Sequence, residues 1–71
     1  MTRLEAERRR RGWNQTVLAF HSGLTQGEIS RIERRRSLPS PTYAERLGRA
    51  LGLSPDALLA EVQPETQERP A

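Results

Sequence analysis

Residues 15–34 read QTVLAFHSGLTQGEISRIER, and this stretch decides the fold. Its apolar residues fall at helical spacing on both sides of Gly23,. Asn14 offers the side-chain acceptor that opens a helix over residues 15–22, and Gly23 ends it. Thr25 and Glu28 have the capping-box spacing, in which each side chain satisfies the other's free backbone amide, and they open a second helix that runs to about Arg34. Two short helices meeting at so tight a corner restrict what fits there. Ala19 is small where the helices cross, and Gly23 sits where a positive φ costs any other residue roughly 1–2 kcal/mol. Leu24, Ile29 and Ile32 anchor the second helix on one side and leave its other face to solvent. Any one of these five positions alone is a weak signal; the set at this spacing is a specific one.

The same punctuation continues outward. Thr2 with Glu5 repeats the capping-box spacing and opens a helix to about Arg11, stopped by Gly12. Ser40 followed by Pro41 is a cap with proline at the first helical position, and that helix reaches Leu51 and ends at Gly52. Ser54 and Pro55 repeat the device for a short fifth helix over residues 55–60. No stretch alternates apolar and polar residues as a half-buried strand does. The reading is a compact all-α domain of five helices, with a helix-turn-helix formed by helices 2 and 3. Its core draws on Leu18, Ala19, Leu24, Ile29, Ile32, Ala44, Leu47, Leu51, Leu53, Leu58 and Leu59. Helix 1 is the thin member, with only Leu4 and Ala6 before Trp13. The domain spans residues 1–60, and the Pro, Gln and Glu content of residues 61–71 reads as a disordered tail.

Composition excludes several classes. With 71 residues, 34% apolar and 30% charged, the chain holds one small domain, because so short a chain buries only about 60% of its unfolded surface. No apolar run approaches the roughly 18–20 residues that a bilayer requires, so no membrane partner is expected. Glu5, Glu7 and the arginines from Arg8 onward interrupt the opening residues, leaving no apolar core for a signal peptide; the expected compartment is the cytoplasm. One His, no Cys and scattered carboxylates give no metal site, and no Ser has a neighbouring His and carboxylate,. The expectation is therefore a non-enzyme without cofactor, metal or small-molecule substrate. All 12 basic residues are Arg. Residues 8–36 hold eight of them against Glu28 and Glu33, while residues 61–71 hold Arg69 against Glu61, Glu65 and Glu68. A basic patch on a compact body points to a polyanionic partner.

Residues 4–59 resemble, without a gap, the lambda-repressor/Cro-like (Xre) family of five-helix DNA-binding domains. The stretches that carry the resemblance are RGWNQ, LAFHSGLTQGEISRIER, PSP and RALGLSPDALL. Within that family LAFHSGL is most similar to the small controller proteins of restriction-modification systems. The resemblance implies that Gln15 contacts a phosphate at the start of helix 2. It places Thr25, Gln26, Gly27, Ser30 and Arg31 where the recognition helix meets the major groove, and Arg34 on a backbone contact just beyond. It also implies that Arg8 and Glu33 form an ion pair joining helix 1 to helix 3. The side-chain chemistry agrees: Gln suits adenine, Arg suits guanine, and helix N-termini favour phosphate.

Three departures from the family pattern stand out. Arg35 replaces a glycine after helix 3, so either a left-handed cap is strained there or the helix runs on. Glu7 takes a place where many members have Leu, and Gly27 puts no side chain at a base-reading position. Arg9 and Arg10 read as a solvated helix face, and His21 as a surface residue. Arg34, Arg35 and Arg36 flank the recognition helix and are assigned to DNA binding. Val17 and Phe20 either cover the bare first helix or form a contact surface. Leu53, Leu58, Leu59 and Val62 exceed what a short fifth helix buries alone, and so form the expected interface of a homodimer on a palindromic operator. Two functions follow: a dimeric transcriptional regulator of repressor type, or a protein-interaction module of the same fold, antitoxin-like or an anti-repressor. The outer face of helix 3 separates them, because Gln26, Ser30 and Arg31 beside Arg34 suit DNA, whereas a docking face is apolar.

Overall fold

The computed structural model describes residues 1–63. Four helices follow one another, α1 (Arg3–Arg10), α2 (Gln15–Ser22), α3 (Gln26–Glu33) and α4 (Pro41–Leu51), and a single 3-10 turn spans Pro55–Ala57. Each α-helix starts where a short polar side chain takes up an amide that the first turn leaves free. Thr2 accepts from the Glu5 N–H at 3.0 Å, and Asn14 from Val17 at 2.9 Å. Thr25 accepts from Glu28 at 3.2 Å, and Ser40 from Tyr43 at 3.1 Å. At the first helix the Glu5 carboxylate turns to Arg9, 2.7 Å away, rather than back to Thr2.

The fifth helix expected over residues 55–60 is instead one 3-10 turn. Ser54 caps it, and its bonds run three residues back, from Ala57 to Ser54, Leu58 to Pro55 and Ala60 to Ala57. The segment is drawn out of helical geometry by the start of the chain. Leu58 drops into the core, and the carbonyls of Leu58 and Ala60 accept from Leu4 at 2.9 Å and Arg3 at 2.8 Å, satisfying amides at the start of α1. An isolated antiparallel bridge then pairs Thr2 with Glu61, and the Val62 N–H donates to the Met1 carbonyl at 2.9 Å. Glu61 and Val62 thus lie against α1, although the sequence assigns them to the tail. Residues 64–71 of that tail lie outside the described residues. No helix among the described residues is long and apolar enough to cross a membrane.

All four helices and the closing strap contribute to one core. Leu4, Leu18, Ile29, Leu47, Leu51 and Leu58 are essentially solvent-free, each contributing about 1.5–3 kcal/mol of transfer free energy. Helix 1 gives only Leu4 to this set, as its composition suggests, but Arg8 is buried beside it. Leu58 belongs to the protomer's own core and is withdrawn from any surface, whereas Leu53, Leu59 and Val62 are half-buried.

Gly48, in the middle of α4, has a reason that the sequence does not display. It is buried, its carbonyl accepts from Leu53 at 2.9 Å, and a Cβ there would collide with the Leu53 carbonyl. The chain after α4 folds back so closely that only glycine fits. Gly48→Ala improves helix propensity by about 1 kcal/mol, yet the steric conflict reverses the sign, and a net loss of roughly 1–3 kcal/mol is expected in thermal unfolding. A variant as stable as the parent contradicts this packing.

Candidate nucleic-acid interface

The corner between α2 and α3 is built as its residue types require. Gly23 has φ +76°, and both Gly23 and Leu24 donate to the Ala19 carbonyl, at 2.9 and 3.1 Å. Ala19 and Leu24 are buried in the crossing. Ile29 and Ile32 turn one side of α3 into the core, and α3 packs mainly against α2. The opposite side presents Gln26, Gly27, Ser30, Arg31 and Arg34, with no apolar side chain among them. Arg31 lies alongside Gly27, its Nη1 3.6 Å from where a Cβ at 27 would stand. Glu28 is kept out of this face by the capping box. The Thr25 N–H donates to its carboxylate at 2.9 Å, and that bond above all holds the Glu28 carboxyl below the usual carboxylate range,.

A chain of polar contacts runs from the core to this surface. Arg8 donates through Nε and Nη2 to both oxygens of Glu33, at 2.6 and 3.0 Å, and through Nη1 to the Trp13 carbonyl at 2.8 Å. Arg8 and Glu33 are 7% and 8% exposed, so both charges sit in a low-dielectric site and need these bonds,. Glu33 also accepts from Gln15 at 2.9 Å, and Gln15 accepts from Gln26 at 2.5 Å. Four residues on three helices are therefore linked, ending at the first residue of α3. Gln15 has its amide oxygen and one N–H engaged within the protein, which the sequence alone did not reveal.

The arginines divide into two kinds. Arg9, Arg10 and Arg11 are matched to Glu5 or Glu7 along α1, and Arg10 holds the Glu7 carboxyl below its ordinary range. Arg34 and Arg36, at the end of α3, are exposed and have no hydrogen-bond or ion-pair partner among the described residues. Arg35 between them differs. It has φ +61°, a left-handed position that costs a non-glycine residue about 1–2 kcal/mol,. The helix stops there in a Schellman arrangement, with Arg35 N–H on the Ile32 carbonyl and Arg36 N–H on that of Arg31,. The Arg35 guanidinium reaches across the surface to the strap, donating to the Leu59 carbonyl at 2.8 Å and to Glu61 at 2.6 Å. The sequence reading groups Arg35 with its neighbours as a DNA contact; the structure engages it within the protein.

Phe20 is 82% exposed, so it does not cover the first helix. Val17 is half-buried. Trp13 stacks on His21 with ring centroids 4.3 Å apart, Phe20 meets His21 edge-on, and Arg11 lies over Trp13. Beside Phe20 runs a groove of about 580 Å³ between the end of α2 and Arg46, Arg49 and Ala50 of α4. It lies at the opposite end of α2 from Gln15.

Comparison with known proteins agrees with this architecture. A family model described as Helix-turn-helix matches residues 4–58, well over half of the chain. The chain belongs to this family of lambda-repressor-like (Xre) double-stranded-DNA-binding domains. No curated protein and no solved structure matches it.

Arg8→Ala leaves Glu33 charged and buried without its main partner, a change that typically costs about 3–5 kcal/mol. Arg9→Ala removes only an exposed pair on α1, worth roughly 0.2–1 kcal/mol. Thermal unfolding of the two variants side by side is expected to show a large drop for the first and a small one for the second. Equal drops contradict the buried pair.

Proposed function

We propose that this helix-turn-helix protein is a sequence-specific transcriptional regulator that binds a palindromic DNA operator as a homodimer, with α3 in the major groove of each half-site. The observation that carries this reading is the outer face of α3, polar throughout and followed by two cations without partners among the described residues, while Arg9, Arg10 and Arg11 are paired with Glu5 or Glu7. An apolar face would be needed for the alternative, a protein-docking module, and α3 has none.

The roles follow from the chemistry of each group. Gln26 still has an amide oxygen and one N–H beyond its bond to Gln15, the pair that adenine accepts in the major groove,. Arg31, folded over Gly27, is a fork for guanine, and the missing side chain at 27 lets the backbone approach the base edges,. Thr25 and Ser30 complete the reading face. Arg34 and Arg36 address phosphates, as does the N-terminus of α2 at Gln15.

One α3 covers only a few base pairs, so useful specificity calls for two, about 34 Å apart on a twofold-symmetric site. The apolar surface available for pairing is Leu53, Leu59 and Val62, each half-buried in the protomer, with Leu58 serving beneath them as core.

Duplexes selected from a random pool test the reading. Arg31→Ala is expected to weaken the preferred site by about 1–3 kcal/mol and to relax one base position per half-site. Arg36→Ala is expected to weaken all sequences alike and to lower the slope of log affinity against log salt by about 1. Affinity insensitive to salt, or uniform weakening by Arg31→Ala, contradicts it.

A further inference from the structure

Arg35 stands between two free arginines and is itself bonded to the strap. Its φ of +61° is the only positive φ on a non-glycine residue among those described. Such backbone strain persists only where the surroundings hold it, and here the surroundings are specific. One guanidinium nitrogen donates to the Leu59 carbonyl, 24 residues away in sequence, and the other to the Glu61 carboxylate. The segment that receives these bonds is itself tied to α1 through Ala60 to Arg3 and Leu58 to Leu4. The far side of the contact is therefore part of the folded body.

The consequence lies in the neighbours. The chain reverses direction at Arg35, where its N–H closes on Ile32 and that of Arg36 on Arg31. Arg34 leaves on the helical side of this reversal and Arg36 on the other, so the backbone of one residue sets the angle between two cations. Glu33 ties α3 to α1 one residue before Arg34, and just beyond it the Arg35 side chain ties the turn to the strap. We infer that Arg35 is a positioning residue for DNA binding: its clamp on Leu59 and Glu61 fixes where Arg34 and Arg36 hold their charges against the phosphates. This inference rests on the DNA-binding reading above. It also links two surfaces of that reading, because Leu59 belongs both to the clamp and to the apolar patch available for pairing subunits.

A direct phosphate contact by Arg35 is the competing role, and removing the partner of Arg35 rather than Arg35 itself tells them apart. Arg35→Glu breaks the clamp and places a negative charge beside the interface. Glu61→Ala instead leaves the Arg35 charge in place and removes its ionic partner, making the protein more positive. Binding is measured on a mixed-sequence duplex, which reports phosphate contacts, well below the unfolding midpoint of every variant. Arg35→Glu is expected to bind about tenfold more weakly, and Glu61→Ala about threefold more weakly despite its added positive charge. Arg35→Gly, which keeps the left-handed cap without strain, is expected to retain the thermal midpoint and still lose affinity. Glu61→Ala binding more tightly than the parent overturns the inference, because the released Arg35 then touches DNA itself; so does Arg35→Gly binding like the parent. Failure of the underlying reading shows separately, as a parent protein that binds no duplex even at low salt.

Discussion

The buried pair of Arg8 and Glu33 is the constraint on which the remainder depends. Taking two charges out of water costs several kcal/mol for each, so such a pair persists only if its geometry is good and its remaining donors and acceptors are satisfied. Both conditions hold: the contact is two-pronged, Trp13 takes a third donor of Arg8, and Gln15 gives a further bond to Glu33. An apolar pair of the same volume would stabilise the fold as well. It would not fix the rotation of α3, because a hydrophobic contact tolerates sliding and a pair of parallel hydrogen bonds does not.

From that pair the order passes outward by contact. Glu33 orients Gln15, Gln15 orients Gln26, and Gln26 sits at the start of the helix that faces solvent. The apolar core supplies the stability to hold this arrangement, and it is small. It is completed by a strap, residues 58–62, that covers the start of α1 and receives Arg35 from the end of α3. The C-terminal end of α3 is thus tied twice, by Glu33 to the first helix and, just beyond it, by Arg35 to the strap.

What could be read from the sequence was local. The caps at Asn14, Thr25 and Ser40 act within three residues of themselves, so their type and spacing display them directly. The corner glycine and the inward faces of α2, α3 and α4 follow from the same short-range rules. The link between Arg8 and Glu33 spans 25 residues and entered only through family resemblance. The unread features are long-range too. Leu58 and the collapse of a fifth helix into one turn depend on the first residues of the chain, and Gly48 on a carbonyl that returns after α4. Arg35 shows in the sequence as an arginine at a glycine position, but its partners at 59 and 61 leave no local pattern.

The central claim is that core order reaches the reading face through Gln15. Gln15→Ala tests it most directly, because this variant leaves the two-pronged contact of Arg8 and Glu33 intact and removes the one hydrogen bond that the Gln26 side chain makes among the described residues. Base preference is measured by selecting duplexes from a random pool with the parent, Gln15→Ala and Gln26→Ala. The account predicts that both variants lose preference at the same base position and keep it elsewhere. Uniform weakening by Gln15→Ala with every preference retained would contradict it, and would leave Gln15 a phosphate contact and nothing more.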